Sequence, residues 1–228
     1  MTRVSMARAA VLTVALALLS GLPSAKPRPK ARYVPRPAYS GPQPSLPTVP
    51  TLPKRELRRG PAYTVWGASS SLRHPVRRKL VDGQMIQVRG VIKQTNLPEA
   101  PRCAVHPPGK ADPPGCTAPL PEFWLCDQLS DERSDCIQVV GWASNFAQIY
   151  GALRQYSKRN SEPYVDSYWG VVIPDPVPAT GAEVTVEGQY AVSWLGASTG
   201  TVSDPIMGIL GYRSIDVHRQ ALRPARLP

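Results

Sequence analysis

The chain is poor in the residues from which catalytic sites are built. Only three of its 228 residues are His, at positions 74, 106 and 218, and no pattern aligns any of them with a nucleophile. The G-x-S-x-G, H-E-x-x-H and phosphate-loop motifs are missing from the sequence. The sequence therefore predicts a protein that is not an enzyme and that has no cofactor and no metal. An enzyme of an unrecognised kind is the alternative.

Long apolar runs are also missing, since the longest covers residues 9–19 and is broken by Thr13. A bilayer span needs roughly 20 apolar residues, so this run is too short to cross a membrane. It follows two Arg and precedes the small residues Ser24 and Ala25, as in a secretory signal peptide. Residues 1–25 are therefore predicted to be a signal peptide of an exported protein, periplasmic or secreted, with no transmembrane span after cleavage. An uncleaved anchor is the alternative.

Acidic residues are nearly absent from residues 26–80, which hold thirteen Lys or Arg and the single acid Glu56. Pro is abundant here and recurs every third residue in the run PSLPTVPTLP, which is the period of polyproline II. A segment of this composition cannot bury a core. We expect residues 26–75 to be a disordered, basic, Pro-rich linker. A PxxP ligand for a partner's groove and a tether to an anionic surface are the alternatives.

The remainder of the chain, residues 81–228, has twelve Lys or Arg against fifteen Asp or Glu, a net charge of −3. Binding of single-stranded nucleic acid needs a positively charged groove. The acidic balance and the predicted export therefore argue against nucleic acid as a partner of this part. The basic linker could still bind polyanions without sequence preference.

Downstream of residue 81, apolar and polar residues alternate in short runs, the pattern of half-buried strands. Ile86, Val88 and Ile92 alternate with polar residues in the first run. Gly90 and Gly188 interrupt two of the runs, where we expect a strand to bend. Five strands are predicted, at residues 85–94, 123–126, 136–142, 184–194 and 209–217. Residues 168–173 are a candidate for a sixth.

One helix is predicted at residues 146–156, from apolar residues spaced three and four apart and a capping box formed by Asn145 and Gln148. Three strands, a helix and two strands, closed into a small five-stranded Greek-key barrel, make the OB-fold. The chain therefore resembles the OB-fold superfamily, in particular exported bacterial members, through KLVDGQMIQVRGVI, FWLCD, CIQVVGW and GAEVTVEGQYAVSW. An immunoglobulin-like or another small β-sandwich is the alternative.

The resemblance covers about residues 80–217 and is one of topology. We place the OB-like β-barrel domain at residues 76–220, after the linker, and expect residues 221–228 to be a disordered tail. The connection between the first two strands, residues 95–121, departs from the family because it is far longer than a simple turn.

Four Cys, an even number in a chain predicted to be exported, indicate two disulfides. Three pairings are open. We favour Cys103 with Cys116, which closes a Pro-rich loop, and Cys126 with Cys136, which staples two strands across a turn. A zinc site that adds His106 to these Cys is the rival, but the spacing lacks the close pairs of zinc ligands.

The turn between the second and third predicted strands is acidic, with Asp127, Asp131, Glu132 and Asp135. Several carboxylates can hold Ca²⁺, but such a turn is more often only solvated. We favour the solvated turn and keep calcium as the alternative.

An OB-like fold implies ligands at the face of strands two and three and at the loops of residues 95–121 and 195–205. The candidate contacts are aromatic or basic side chains: Phe123, Trp124, Trp142, Arg89 and Lys93. The predicted function is an exported, non-enzymatic binding module of the cell envelope whose partner is a protein, a peptide or a glycan. Polyanion or nucleic-acid binding through the basic segment is the alternative.

Overall fold

The computed structural model describes Gly41 and residues 55–158, 162–196 and 200–228. The predicted signal peptide and most of the predicted linker lie outside these residues. The described part is mainly β, as predicted, and none of its helices is long and apolar enough to cross a membrane. Its strands are β1 (Arg58–Arg59), β2 (Ala62–Thr64), β3 (Gln84–Thr95), β4 (Phe123–Cys126), β5 (Ile137–Val140), β6 (Glu183–Ala191), β7 (Ser193–Gly196), β8 (Gly200–Ser203) and β9 (Ile209–Arg219). Its α-helices are α1 (Val65–Arg73) and α2 (Phe146–Tyr156).

Five strands pair in a closed ring, in the order β3, β4, β5, β9, β6 and back to β3. The pair β5 and β9 is parallel, and the other four pairs of the ring are antiparallel. Strands β2 and β1 extend the sheet beyond β3, while β7 and β8 form a separate hairpin. Helix α2 lies between β5 and β6, the third and fourth ring strands in chain order, as the sequence predicts.

The alternation of residue types in the strands produces the core of the ring. Val88 and Ile92 of β3 and Val186 of β6 are completely buried, while Gln87 and Gln189 on the same strands are exposed. Burying apolar side chains contributes about 25 cal/mol per Å² removed from water, so this face holds the ring together. The predicted inward faces of the first and fourth strands are confirmed.

The two mid-strand glycines lie where neighbouring strands approach closely. A Cβ at Gly90 would overlap the carbonyl oxygen of Cys126 across the β3–β4 pair, and a Cβ at Gly188 would overlap that of Gly211 across β6–β9. A register shift follows Glu187 at Gly188, as expected of a bend. In β3 the register shift lies instead between Ile92 and Gln94.

Helix α2 has the predicted bounds. The side chain of Asn145 caps it by accepting a hydrogen bond from the backbone N–H of Gln148 at 3.0 Å. Phe146, Ile149 and Ala152 are buried on its inner face. The spacing of apolar residues therefore located both the helix and the face that packs on the sheet.

The folded part begins before the predicted boundary at residue 76. Residues assigned to the linker form β1, β2 and α1, with Val65, Ala68 and Leu72 buried. Thr64 caps α1, and the Asp127 carboxylate accepts hydrogen bonds from the first two helical N–H groups at 2.8 and 2.9 Å. The expected disorder of residues 55–75 is therefore wrong, because a distant carboxylate and apolar burial support this helix.

The C-terminal tail also departs from the prediction. Beyond β9 it has no helix or strand, yet Ala221, Ala225 and Leu227 are partly buried and pack against the main core. Residues 221–228 are therefore ordered by side-chain packing, and the expected disordered tail is wrong.

Two predicted strands differ from those observed. The fourth predicted strand extends to Trp194, but β6 ends at Ala191 and Trp194 belongs to β7. The candidate strand at residues 168–173 does not form, since only Val172 is bridged there, to Val165. The chain therefore leaves the ring earlier than the alternation of residues predicts.

The cysteines are paired as favoured from the sequence. Cys103 and Cys116 lie at disulfide distance with Cα atoms 5.9 Å apart, and Cys126 and Cys136 with Cα atoms 4.4 Å apart. The second pair lies at the β4–β5 turn and is buried, with Trp124, in a small separate apolar cluster. The first pair closes the long β3–β4 loop, and Cys103 is exposed.

Candidate functional site

Two of the predicted contact residues belong to the core. Phe123 and Trp142 have no exposed surface, and their ring centroids lie 6.2 Å apart at an interplanar angle of 58°. An aromatic side chain contributes most to packing when fully buried, and this pair fills the ring interior. Because successive strand residues point to opposite sides, one of Phe123 and Trp124 was expected in the core, and it is Phe123; Trp142 also lies in the core, so neither of these two candidates is available for contact with a ligand.

Trp124 lies on the opposite side of β4 but is covered. Only 6% of it is exposed, and the guanidinium carbon of Arg133 lies 4.0 Å from its ring centroid. The Cys126–Cys136 pair packs in the same cluster. Trp124 thus forms a cation–π contact within the chain and offers no open stacking surface.

The outward side of β4 and β5 next to Trp124 is polar. The Gln138 amide donates a hydrogen bond to the Glu122 carboxylate, and burial raises the pKa of Glu122. The carboxylate of Glu122 and the amide of Gln138 therefore bond to each other, and this part of the predicted ligand face offers neither group to a ligand.

The two basic candidates are also engaged within the chain. Arg89 forms an ion pair with Glu183 at 2.9 Å, and its hydrogen bond lowers the pKa of the Glu183 carboxyl. The Lys93 ammonium donates a hydrogen bond to the carbonyl oxygen of Leu129 at 2.6 Å. The five predicted contact residues therefore do not form one binding site.

A different aromatic surface lies outside the ring. Trp169 and Trp194 meet edge to face, with ring centroids 5.8 Å apart and an interplanar angle of 71°. Both are partly exposed, and the neighbouring Tyr168 is 64% exposed. We call Tyr168, Trp169 and Trp194 the aromatic surface. An aromatic pair of this geometry contributes about 0.5–1.5 kcal/mol beyond the area it buries.

The indole of Trp194 rests on two glycines, Gly141 just after β5 and Gly211 in β9. A Cβ at Gly211 would come within 2.7 Å of its Cδ1, and one at Gly141 within 3.2 Å of its Cζ2. Gly141 also has a positive φ of 85°, which favours glycine. The β7–β8 hairpin is therefore seated on the outside of β5 and β9, and this indole has a defined place.

A buried carboxylate holds the Trp169 side of this surface. Asp166, with no exposed area, accepts hydrogen bonds from the N–H groups of Tyr168 and Trp169 at 2.9 and 3.0 Å. Its other oxygen accepts from the N–H and the hydroxyl of Ser144, both at 2.7 Å. All of its bonds are charge-assisted, so they fix the loop to the end of β5 more strongly than neutral bonds would.

A buried amide on α2 gives the same loop a second attachment. The fully buried Gln148 donates to the Ser167 hydroxyl at 2.7 Å and accepts from the Tyr164 hydroxyl at 3.0 Å and from the Ser167 N–H at 3.2 Å. A fully satisfied buried network of this kind favours one arrangement over others. The loop is thus ordered before any partner arrives.

The aromatic surface reaches both loops that the OB-like reading singled out. Tyr168 and the tip of the β3–β4 loop, Lys110 and Asp112, line a shared depression of about 160 Å³. Trp194 itself stands at the start of the β7–β8 hairpin, which follows the fourth ring strand. The ends of the surface are therefore formed by the two predicted binding loops.

The β3–β4 loop adds charge to this end of the surface. His106 bonds through Nδ1 to the Pro107 carbonyl at 2.9 Å and through Nε2 to the Asp112 carboxylate at 2.8 Å. Both bonds raise the pKa of His106, the one to Pro107 most, because each oxygen accepts a hydrogen bond from an N–H of the imidazolium and so favours the protonated ring. Together with Lys110, this gives the loop a mixed set of charges.

A polar cleft of about 620 Å³ lies between α1 and the acidic β4–β5 turn. Two of its four carboxylates are already engaged, since Asp127 caps α1 and Asp131 accepts from the N–H of Gln128 at 2.8 Å. Within the described residues, no three His, Cys, Asp or Glu side chains are grouped to hold a metal ion. This geometry supports the α1 capping role and gives the calcium alternative no support.

The three residues of the aromatic surface were not among the predicted contacts. Trp194 was hidden by the regular alternation that runs past the true end of β6, and Tyr168 and Trp169 by their place in a candidate strand. One feature of the sequence did point to this site: Trp169 is one of only five Trp in the chain, and it stands between a Tyr and a Gly. Glycine is typical of a turn, which would place the preceding aromatic residues in a loop at the surface.

Comparisons with known proteins add little to this geometry. No protein-family model and no curated protein matches the sequence. Among solved structures, the chain is similar to a crystal structure assigned to an aspartyl-tRNA synthetase from Leishmania major Friedlin, with 17% identity and a TM-score of 0.31. The match covers 79% of this chain but 24% of that one. At this TM-score the similarity carries no conclusion about fold, activity or partner.

Proposed function

We propose that this chain is an exported, non-enzymatic binding protein whose OB-like ring presents the aromatic surface to a segment of a protein partner. The OB-like assignment is supported by the closed five-strand order and by the place of α2 between the third and fourth ring strands. Export is supported by the two cysteine pairs at disulfide distance, since such pairs persist in oxidising compartments.

One observation carries the proposal: the loop with Tyr168 and Trp169 is held at the surface by the hydrogen bonds of two fully buried polar side chains. Asp166 and Gln148 are both fully buried, and both direct their hydrogen bonds to the loop that carries Tyr168 and Trp169. Residues ordered in advance lose less entropy on binding, so the same contacts give a higher affinity.

A protein segment fits this surface better than a glycan. The bridged residues Val165 and Val172 flank the aromatic side chains, and they are 52% and 48% exposed. Aliphatic side chains beside Trp and Tyr are typical of the apolar centre of a protein interface. Exposed apolar groups of this size mark interaction sites when they lie close together.

The test compares peptide and glycan binding by the full chain. A displayed library of random peptides and a glycan array are each probed with the wild-type protein and with the Trp169→Ala, Tyr168→Ala and Leu129→Ala variants. Leu129 is the matched control, because it is 48% exposed but lies in the β4–β5 turn. We expect selected peptides to bind the two aromatic variants at least tenfold more weakly and the control equally well.

Two results would overturn the proposal. Peptides that bind all four proteins equally would place recognition elsewhere. Glycan binding that is lost in the two aromatic variants, without peptide binding, would assign the surface to glycans instead.

A further inference from the structure

An apolar cavity lies at the other end of α2, away from the aromatic surface. It has a volume of about 320 Å³, is open to solvent on one side, and is lined by the last turn of α2, the segment of residues 175–182 and the C-terminal tail. Its apolar walls include Leu153, Val177, Ala179, Ala182, Val217 and Ala225.

The cavity is open because its walls are small, not because the fold is loose. Ala179 and Ala182 are 8% and 5% exposed, and Val177 beside them is 4% exposed. Larger side chains at the two alanines would fill the space. The volume lies at the lower end of the roughly 300–1,000 Å³ typical of small-molecule sites.

The shape of the cavity and its rim indicate the class of ligand. Taking a methylene group as about the 30 Å³ of a liquid water molecule, the volume matches about ten such groups. Asp175 is the one charged residue among those that line the cavity in the described part of the chain, and it is exposed. The hydroxyl of Tyr156 is not free for a ligand, since it accepts from the N–H of Tyr164 at 2.9 Å and donates to the carbonyl of Ile173.

We propose that this cavity is a second binding site, which takes the alkyl chain of a single-chain amphiphile and places its cationic head group beside Asp175. Apolar walls remove the chain from water, which is the main favourable contribution to binding. The carboxylate at the rim distinguishes a cationic from an anionic head group, although an exposed charge pair discriminates only modestly.

The tail provides one wall and the route of entry. Ala221, Pro224 and Ala225 line the cavity, and this part of the chain has no helix or strand to hold it against α2. An amphiphile can therefore enter by displacing side-chain contacts of the tail while the ring strands stay paired. The site shares no residue with the aromatic surface, so the test of this site does not depend on the proposed function.

The test uses two ten-carbon amphiphiles with opposite charges, decylammonium and decanoate, each titrated calorimetrically into the full chain below its critical micelle concentration. We expect decylammonium to bind with a Kd of about 1–10 μM, the affinity expected for burying an alkyl chain of this length. Decanoate should bind about three to five times more weakly. Asp175→Asn should remove this difference and keep alkyl binding.

Filling the cavity separates binding there from binding elsewhere on the surface. Ala182→Leu and Ala225→Leu should each weaken decylammonium binding at least tenfold, whereas Thr180→Leu, at an exposed neighbour outside the lining, should not change it. Ala225 lies on the tail, so its variant keeps the ring intact even where Ala182→Leu unfolds it. The proposal is overturned if neither amphiphile binds, if both Leu variants bind as wild type, or if decanoate binds as tightly as decylammonium.

Discussion

The interior of the ring and the loop of the aromatic surface are ordered by different interactions. In the ring, Val88, Ile92 and Leu125 are completely buried among other apolar side chains. In the loop, the buried side chains of Asp166 and Gln148 make seven hydrogen bonds to Ser144, Tyr164, Ser167, Tyr168 and Trp169. Apolar packing has no preferred direction, whereas hydrogen bonds do. The ring therefore supplies stability, and the polar network sets the position of the surface.

This difference predicts two kinds of variant. A change that disturbs strand packing should lower the free energy of unfolding of the whole protein. A change in the polar network should displace the aromatic side chains at a smaller cost. If both kinds of change lowered the free energy of unfolding equally and displaced the aromatic side chains equally, the ring and the polar network would not have separate roles.

The largest effect is expected for Gly188→Val. A Cβ here would overlap the carbonyl oxygen of Gly211 and lie 3.1 Å from Leu210, so the β6–β9 pair would have to separate. We expect the free energy of unfolding to fall by about 4 kcal/mol, measured by urea denaturation. Gln189→Val is the matched control, because it adds a similar side chain at the next, exposed position. Equal stability of the two variants would show that β6 and β9 are not packed this closely.

A smaller global effect is expected when the buried cysteine pair is removed. Cys126 and Cys136 close a loop of 10 residues and pack with Trp124. Replacing both by Ala should lower the free energy of unfolding by about 3 kcal/mol from chain entropy, and further through lost packing. Thermal unfolding followed by circular dichroism measures the change.

The exposed pair gives the matched comparison. Cys103 and Cys116 close a similar loop of 13 residues, so the contribution of chain entropy should be nearly the same. Their replacement by Ala should therefore lower stability slightly less than that of Cys126 and Cys136, and should mainly increase hydrogen exchange in the β3–β4 loop. A greater loss for the exposed pair would contradict this account.

The parts of the fold that the sequence predicted are those set by local periodicity. The inward face of β3 and the bounds of α2 each follow from residue spacing within one element. Helix α1 was not predicted from the sequence, because its first N–H groups bond to Asp127, more than 60 positions away in the chain. Nothing near Val65 in the sequence shows that partner.

The binding surface was harder to predict for a related reason. Trp124 and Trp142 were chosen by strand membership, but membership does not reveal that Arg133 covers one ring and that the other faces the core. The place of Trp194 depends on Gly141, which follows β5, and on Gly211 of β9, both far from it in the sequence or in another strand. Exposure of an aromatic residue is a tertiary property, so one strand pattern cannot decide it.

The polar network itself is tested by Asp166→Ala. The change leaves the N–H groups of Tyr168 and Trp169 and both donors of Ser144 without their carboxylate. We expect a loss of about 2 kcal/mol in the free energy of unfolding, with faster hydrogen exchange at Tyr168 and Trp169 and a shifted indole N–H resonance of Trp169.

The matched control for this change is Asp204→Ala. Asp204 also caps a turn, accepting from the N–H groups of Ile206 and Met207 at 2.9 and 2.8 Å, but this turn belongs to the connection between β8 and β9 and not to the loop of Trp169. It should change exchange at its own turn only. The proposed role of Asp166 fails if both variants leave the Trp169 signals unchanged.

The smallest effect is the pH dependence of the β3–β4 loop. The pKa of His106 is raised above 6.5, chiefly by its bond to the Pro107 carbonyl and then by its bond to the Asp112 carboxylate. Because the folded pKa exceeds the unfolded value, protonated His106 stabilises the loop fully below pH 6.5, and this contribution is lost as the pH rises through the raised pKa.

NMR titration of the His106 ring should give this raised pKa, and Asp112→Asn should lower it without returning it to 6.5, since the larger cause remains. Hydrogen exchange in the loop, corrected for its intrinsic pH dependence, should become faster across the same interval in the wild type and should not change with pH in His106→Asn. A titration of His106 at or below 6.5 would show that neither bond persists in solution and that the charge of this loop plays no part in ordering the end of the aromatic surface.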